Sequence, residues 1–202
     1  MRIYSIKPKF QKFLLPLMNV FIKLRVSPTM INFFALIVSF FGGLVIYFSS
    51  FNLKLILLVP FLAFIRTALN ALDGMVARET KAKNQKFGEV LNETFDRFSD
   101  VLFFLGVAFV SFANTVLGLF TIIIILLVSY LGIVGKAAGG SRQYGGLMGK
   151  ADRMFWLSVG CVSVVIFKNT NIINWTLWFI LIFSFVTLLI RFISIKKELY
   201  KK

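Results

Sequence analysis

The chain has no histidine, a single cysteine and only 8 acidic residues among its 202. Without imidazole there is no histidine general base, no histidine metal ligand and no His-dependent catalytic triad. One thiol, Cys161, excludes an intramolecular disulfide and any multi-cysteine zinc site. Any chemistry must therefore run on carboxylates, amides, hydroxyls and cations. Polar residues are scarce as well: 58% of the chain is hydrophobic and the mean hydropathy is +0.86. Soluble domains run at roughly 45–50% apolar, so this composition calls for an apolar solvent around the chain.

A bilayer core about 30 Å thick is crossed by roughly 20 helical residues. Six apolar stretches reach that length, at 29–50, 53–77, 90–112, 115–137, 151–168 and 172–195. The expected fold is an all-α integral membrane protein. Six transmembrane helices follow an N-terminal amphipathic interfacial helix, dividing the chain into an interfacial segment, 1–28, and a membrane domain, 29–202. Residues 1–28 lack the uninterrupted apolar run of a cleavable signal peptide. No internal repeat or second, soluble domain is evident.

The formal net charge of +15 comes from 23 Lys and Arg residues, and their positions explain it. Nineteen fall in the N-terminal segment, in the loops after the second and fourth spans, and at the C-terminal end. The three opposite loops hold only Lys54 and Lys168, and Arg66 and Arg97 lie within spans. Cations gather on the cytoplasmic side, so both termini and the two basic loops are expected there. The charge records membrane orientation and is no sign of nucleic-acid binding. In residues 9–25, Phe10, Phe13, Leu14, Leu17, Phe21 and Leu24 recur at helical spacing while Lys9, Lys12 and Lys23 occupy other faces. That pattern predicts a helix on the cytoplasmic interface, bent near Pro16, serving as a topology anchor or as a gate for lipid substrate.

Six of the eight acids lie between Asp73 and Asp100. Asn70 and Asp73 are one turn apart at the end of the second span, followed by the small residues Gly74 and Ala77 and then Arg78. Gly88 opens the third span, and Asn92, Asp96 and Asp100 follow at intervals of four, a polar stripe running into the membrane. Ionisable groups at that depth are costly unless paired, hydrated or metal-bound. Hard oxygen donors converging from two helices suit Mg²⁺ or Mn²⁺. An ion pathway through the membrane is the rival reading, but the ionised groups gather near one face and leave the other spans almost free of charge.

The run Asn70-Ala-Leu-Asp73-Gly74-Met-Val-Ala77-Arg78, then Gly88-Glu-Val-Leu-Asn92-Glu-Thr-Phe-Asp96, resembles the CDP-alcohol phosphatidyltransferase signature, DxxDGxxAR followed by GxxxDxxxD. Pro28 with Asn32 is similar to the family's entry motif. Asparagines stand at the first and third aspartate positions, as in a bacterial inner-membrane subset that this chain resembles. The resemblance implies transfer of a phosphatidyl group from CDP-diacylglycerol to an alcohol, with release of CMP, in the bacterial inner membrane. It implies an active site on the cytoplasmic side, in a homodimer, and a pair of Mg²⁺ or Mn²⁺ ions held by Asn70, Asp73, Asn92 and Asp96, with Asp100 an additional candidate ligand. Asp96 is the implied base. Asp73, Gly74, Ala77, Arg78 and Gly88 are the implied CDP contacts.

Replacing two of the four aspartates by amides lowers the ligand charge and leaves three outcomes open. Two ions bind with help from Asp100; or one binds tightly and the second arrives with substrate; or catalysis is lost and the fold retained. Glu79, Glu89 and Glu93 have no role in the signature and are expected to pair with Lys81, Lys83 and Lys86 at the surface.

Residues 135–153 place five glycines between Lys136 and Lys150, with Arg142, Tyr144, Asp152 and Arg153 nearby. A glycine-rich backbone with several cations suits a phosphate or an anionic headgroup, although a basic cytoplasmic loop needs no such role. By resemblance, Lys136, Arg142, Lys150, Arg153 and Arg191 would bind the phosphate of an acceptor such as glycerol 3-phosphate or another polyol phosphate.

Overall fold

The computed structural model describes residues 7–80 and 85–200. Arg2, Lys81, Lys83, Lys201 and Lys202, counted above among the cytoplasmic cations, lie outside the described residues. Every regular element among the described residues is helical: α1 Lys7–Lys23, α2 Pro28–Phe48, α3 Val59–Glu79, α4 Gln85–Phe109, α5 Thr115–Ala137, α6 Lys150–Ile166 and α7 Ile172–Leu199, with a 3-10 turn Leu53–Leu58 leading into α3.

Local chemistry sets the helix ends. Ser27 caps α2 by accepting from the Met30 N–H at 3.2 Å, and Pro28 occupies its first turn, where no N–H is needed. Asn114 caps α5 through Leu117 N–H at 2.9 Å. At the start of α6, the Asp152 carboxylate accepts from Gly149 N–H at 3.0 Å.

Helices α2 to α7 coincide with the six apolar stretches. Four segments are long and apolar enough to cross a bilayer: Pro28–Phe48, Leu53–Glu79, Thr115–Ala137 and Ile172–Leu199. Helix α6 has 17 residues, and α4 carries five charged residues between Glu89 and Asp100, so neither meets the same measure of length and apolarity. The chain is a membrane protein on the strength of the four.

Helix α2 packs on both α3 and α4, α5 on α4 and α7, and α6 on α3 and α7. Small residues set the closest approaches. A side chain at Gly106 of α4 would collide with the main chain of Gly43 in α2, and one at Gly42 with the ring of Phe103. Helix α1 runs unbroken through Pro16 and buries Leu14 and Met18 against Leu72, Met75 and Val76 of α3. Its Phe13 and Leu17, and Leu24 just after it, stay exposed. Helices α3 and α4 thus both lie against α2, and side chains of α6 reach both, which brings the polar residues of the two motifs near one another.

Candidate active site

Asp73, near the end of α3, is buried, and its Oδ1 accepts the Gly74 N–H at 2.5 Å. Asn32 of α2, the residue of the entry motif, hydrogen-bonds the same carboxylate. Asp96 of α4 is also buried and forms an ion pair with Lys150 at the start of α6. Asp73 and Asp96 interact electrostatically with each other, and Lys150 acts on both. An aspartate from each motif, Asn32 of α2 and Lys150 of α6 therefore meet in one polar cluster.

Among the described residues, Asn70 Nδ2 and Asn92 Oδ1 are buried and have no hydrogen-bond partner. Burying an amide group without a partner costs about 1–3 kcal/mol, a cost that a bound water, ion or ligand would relieve. Asn92 Oδ1, with the Asp73 and Asp96 carboxylates, suits a hard divalent cation, whereas the unpartnered Asn70 Nδ2 is a donor, and that amide would have to turn its oxygen inward to join them. Among the described residues no three acidic, cysteine or histidine side chains gather as a metal cluster. Two carboxylates balance one divalent ion, and a second would need the phosphates of a substrate.

Asp100 is engaged elsewhere. Its Oδ1 receives Arg66 Nη2 of α3 at 2.6 Å and its Oδ2 receives Arg153 Nη2 of α6 at 2.7 Å. All three side chains are buried, so the carboxylate expected as an additional ligand is instead held by two guanidinium groups. Arg153, expected on an acceptor phosphate, is committed to Asp100. Arg66 Nη2 also lies 3.4 Å from the main-chain carbonyl of Asp96.

The expected nucleotide contacts lie in the last turns of α3 and at the start of α4. Gly74 and Ala77 are half-buried and Arg78 is exposed. Among the described residues, a side chain at Gly74 would meet only the Arg78 guanidinium, at 3.4 Å, and one at Gly88 would meet nothing within 4 Å.

Lys136 ends α5 and pairs with Glu89 at 2.6 Å, while Arg142 pairs with Glu93 and stacks 4.9 Å from the Tyr144 ring. Arg191 of α7 donates to the carbonyls of Val128 at 2.6 Å and Gly145 at 3.0 Å. Glu89 and Glu93 thus face the 136–153 segment, a pairing that differs from the expected one with the α3–α4 loop because both lie on the α4 face turned toward α5.

No protein-family model matches the chain. Its sequence is 34% identical over 197 residues to the inner membrane protein YnbA of Escherichia coli (strain K12), covering 98% of this chain and 94% of that protein. The chain belongs to the YnbA family. A protein of Aquifex aeolicus (strain VF5) is 37% identical over 112 residues, 54% of each chain. The fold is that of Mycobacterium tuberculosis phosphatidylinositol phosphate synthase, PgsA1. Its CDP-DAG-bound structure superposes with a TM-score of 0.74 at 20% identity, covering 89% of this chain and 92% of that one. The PgsA1 complex with manganese and citrate gives the same TM-score and identity over 89% and 87%.

In this YnbA-family chain, the signature alone did not reveal Arg66, Glu198 or the partners of Glu89 and Glu93. Glu198 of α7 accepts from Ser141 N–H at 2.7 Å, Ser141 Oγ at 2.9 Å and Gln143 Nε2 at 2.7 Å. An acid in an otherwise basic C-terminal stretch was the available signal for it.

Proposed function

We propose that the protein is a CDP-alcohol phosphatidyltransferase, moving a phosphatidyl group from CDP-diacylglycerol to an alcohol at the cytoplasmic face of a bacterial inner membrane. The observation that carries this reading is the meeting of Asp73 and Asp96, one from each motif, around Lys150, with the buried and unpartnered Asn92 Oδ1 one turn before Asp96. The PgsA1 fold, solved elsewhere with CDP-DAG and with manganese, supports it. Six crossings with both termini cytoplasmic follow from the distribution of cations.

Asp73, Asp96, Asn70 and Asn92 would hold the divalent ion, which when bound offsets pyrophosphate charge and stabilises the leaving oxygen. The open surface over Gly74 lets the CDP moiety lie against α3, with Arg78 beside it to meet phosphate oxygens. Asp96 accepts the proton of the acceptor hydroxyl as that oxygen bonds to the phosphorus carrying diacylglycerol, and the bond to CMP breaks. Lys150, ion-paired with Asp96, holds that carboxylate in place until the alcohol arrives. Asp100 acts from behind, locking α3, α4 and α6 in register.

The test incubates purified full-length protein with labelled CDP-diacylglycerol, Mg²⁺ or Mn²⁺ and a panel of alcohols, then measures CMP and new lipid. CMP release that falls by about 10²–10⁴ in Asp96→Asn supports the assignment of the base. No CMP with any alcohol would leave a catalytically silent protein or a transporter.

A further inference from the structure

Helix α6 begins where the glycine-rich stretch ends, and its first residue is Lys150, the partner of Asp96. The first N–H groups of a helix have no acceptor within it, so its opening turn depends on what holds the chain just ahead. Here one side chain does so. Thr187 of α7 is wholly buried, and its Oγ1 accepts from Leu147 N–H at 3.0 Å and Met148 N–H at 2.8 Å while donating to the Phe183 carbonyl at 2.7 Å. The one proton and two lone pairs of the hydroxyl are all in use.

The segment is shaped to reach that hydroxyl. Gly146 has a φ of +126°, and a side chain there would collide with Thr187 Cγ2, so both backbone and space demand glycine. Met148 is buried in the apolar core that also holds Met154 and Leu157. Thr187, Arg191 and Glu198 share one face of α7 and take the segment in reverse order: Leu147 and Met148, then Gly145, then Gln143 and Ser141. Of these ties, Thr187 stands nearest the site, for only Gly149 separates Met148 from Lys150. One turn further along α6, Arg153 is fixed on Asp100.

Resting on the phosphatidyl-transfer reading, we infer that Thr187 is a positioning residue for the reaction: through Leu147 and Met148 it sets the start of α6 so that the Lys150 ammonium meets Asp96. A methyl group in place of the hydroxyl would leave two main-chain donors without their acceptor, and the segment would turn to find another. Gly145, Gly146 and Gly149 offer little resistance to that turn. Arg153 keeps its hold on Asp100, so the displacement falls on Lys150.

The experiment compares Thr187→Val, which keeps the shape and removes the acceptor, with Thr187→Ser, which keeps the acceptor, in full-length protein purified in detergent. Glycerol, glycerol 3-phosphate, inositol and inositol phosphate are each offered with CDP-diacylglycerol and Mn²⁺, and the acceptor giving most CMP is used. In Thr187→Val, kcat should fall roughly tenfold while KM for CDP-diacylglycerol changes little. Thr187→Ser should keep a kcat close to wild type. A kcat retained in the valine variant, or lost equally in the serine variant, overturns the inference. A second readout needs no turnover. Lys150 and a divalent ion would share the Asp96 carboxylate, so Lys150→Met should tighten Mn²⁺ binding, read by electron paramagnetic resonance of free Mn²⁺. Thr187→Val should shift the affinity in the same direction, and the double variant should bind no more tightly than Lys150→Met alone. Additive shifts, or an affinity that Thr187→Val leaves unchanged, overturn the inference. If Thr187→Val does not fold, Gly146→Ala disturbs the same contact from the loop side and replaces it in both readouts. CMP release from no protein, wild type included, overturns the transfer reading, and the Mn²⁺ cycle then decides separately whether Thr187 acts through Lys150.

Discussion

Arg66 Nη2 lies 2.6 Å from Asp100 Oδ1, and solvent reaches neither side chain. With Arg153 on the other oxygen, the pair ties α3, α4 and α6 together one helical turn from Asp96. Replacing Asp100 by alanine strands two buried guanidinium groups, a change that typically costs about 3–5 kcal/mol. The thermal midpoint of detergent-purified Asp100→Ala should therefore fall well below wild type. Replacing the triad together, as Arg66→Met/Asp100→Leu/Arg153→Met, should recover most of the loss, because apolar side chains of similar volume need no partners. A midpoint unchanged in Asp100→Ala would show that the pair braces nothing.

The amides at positions 70 and 92 offer neutral oxygens where carboxylates would add charge. Asn70→Asp/Asn92→Asp should therefore bind Mn²⁺ more tightly, by roughly tenfold or about 1.4 kcal/mol. Electron paramagnetic resonance of free Mn²⁺ measures this without any turnover. Equal affinity in the two proteins would mean that the amides stand outside the coordination sphere.

The spans and the polar stripe were legible in the sequence because both depend on local periodicity. Apolar runs long enough to cross a bilayer marked α2, α3, α5 and α7, and four-residue spacing placed Asn92, Asp96 and Asp100 on one face of α4. Side-chain partners across helices leave no such local trace. Lys136 meets Glu89 at a separation of 47 residues, and Arg142 meets Glu93 at 49. Read along the chain, the 135–153 segment is an uncompensated basic loop; in the fold its cations have acids. Asp100 shows the same thing: its spacing continues the polar stripe of Asn92 and Asp96, while its partners Arg66 and Arg153 come from other helices.

Gly106 tests whether the α2–α4 contact positions the site. A side chain there runs into the Gly43 main chain, and main chain cannot swing aside as a rotamer can. Gly106→Val should force α4 away from α2 and destabilise the protein by at least about 1–3 kcal/mol, the usual range for overpacking. Thermal unfolding in detergent reads the loss. Because α4 also carries Asp96, Mn²⁺ affinity should weaken in the fraction that remains folded. Retained stability would mean that the two helices can separate without penalty.

Glu198 fastens the glycine-rich segment to α7. Three donors from Ser141 and Gln143 converge on its carboxylate, while Arg191 from the same helix holds the Gly145 carbonyl. Residues 139, 140, 145, 146 and 149 are glycines, so this stretch pays a large conformational entropy cost to stay in one shape. Glu198→Ala removes the acceptor for all three donors and should free the segment without unfolding the bundle, because none of these residues belongs to the apolar core. Hydrogen exchange should speed up for the amides of residues 138–149 and stay slow in the central turns of α2 and α5. If the acceptor alcohol docks against this segment, KM for the alcohol should rise severalfold while that for CDP-diacylglycerol changes little. Uniform acceleration across all helices would instead identify Glu198 as a support of the whole fold.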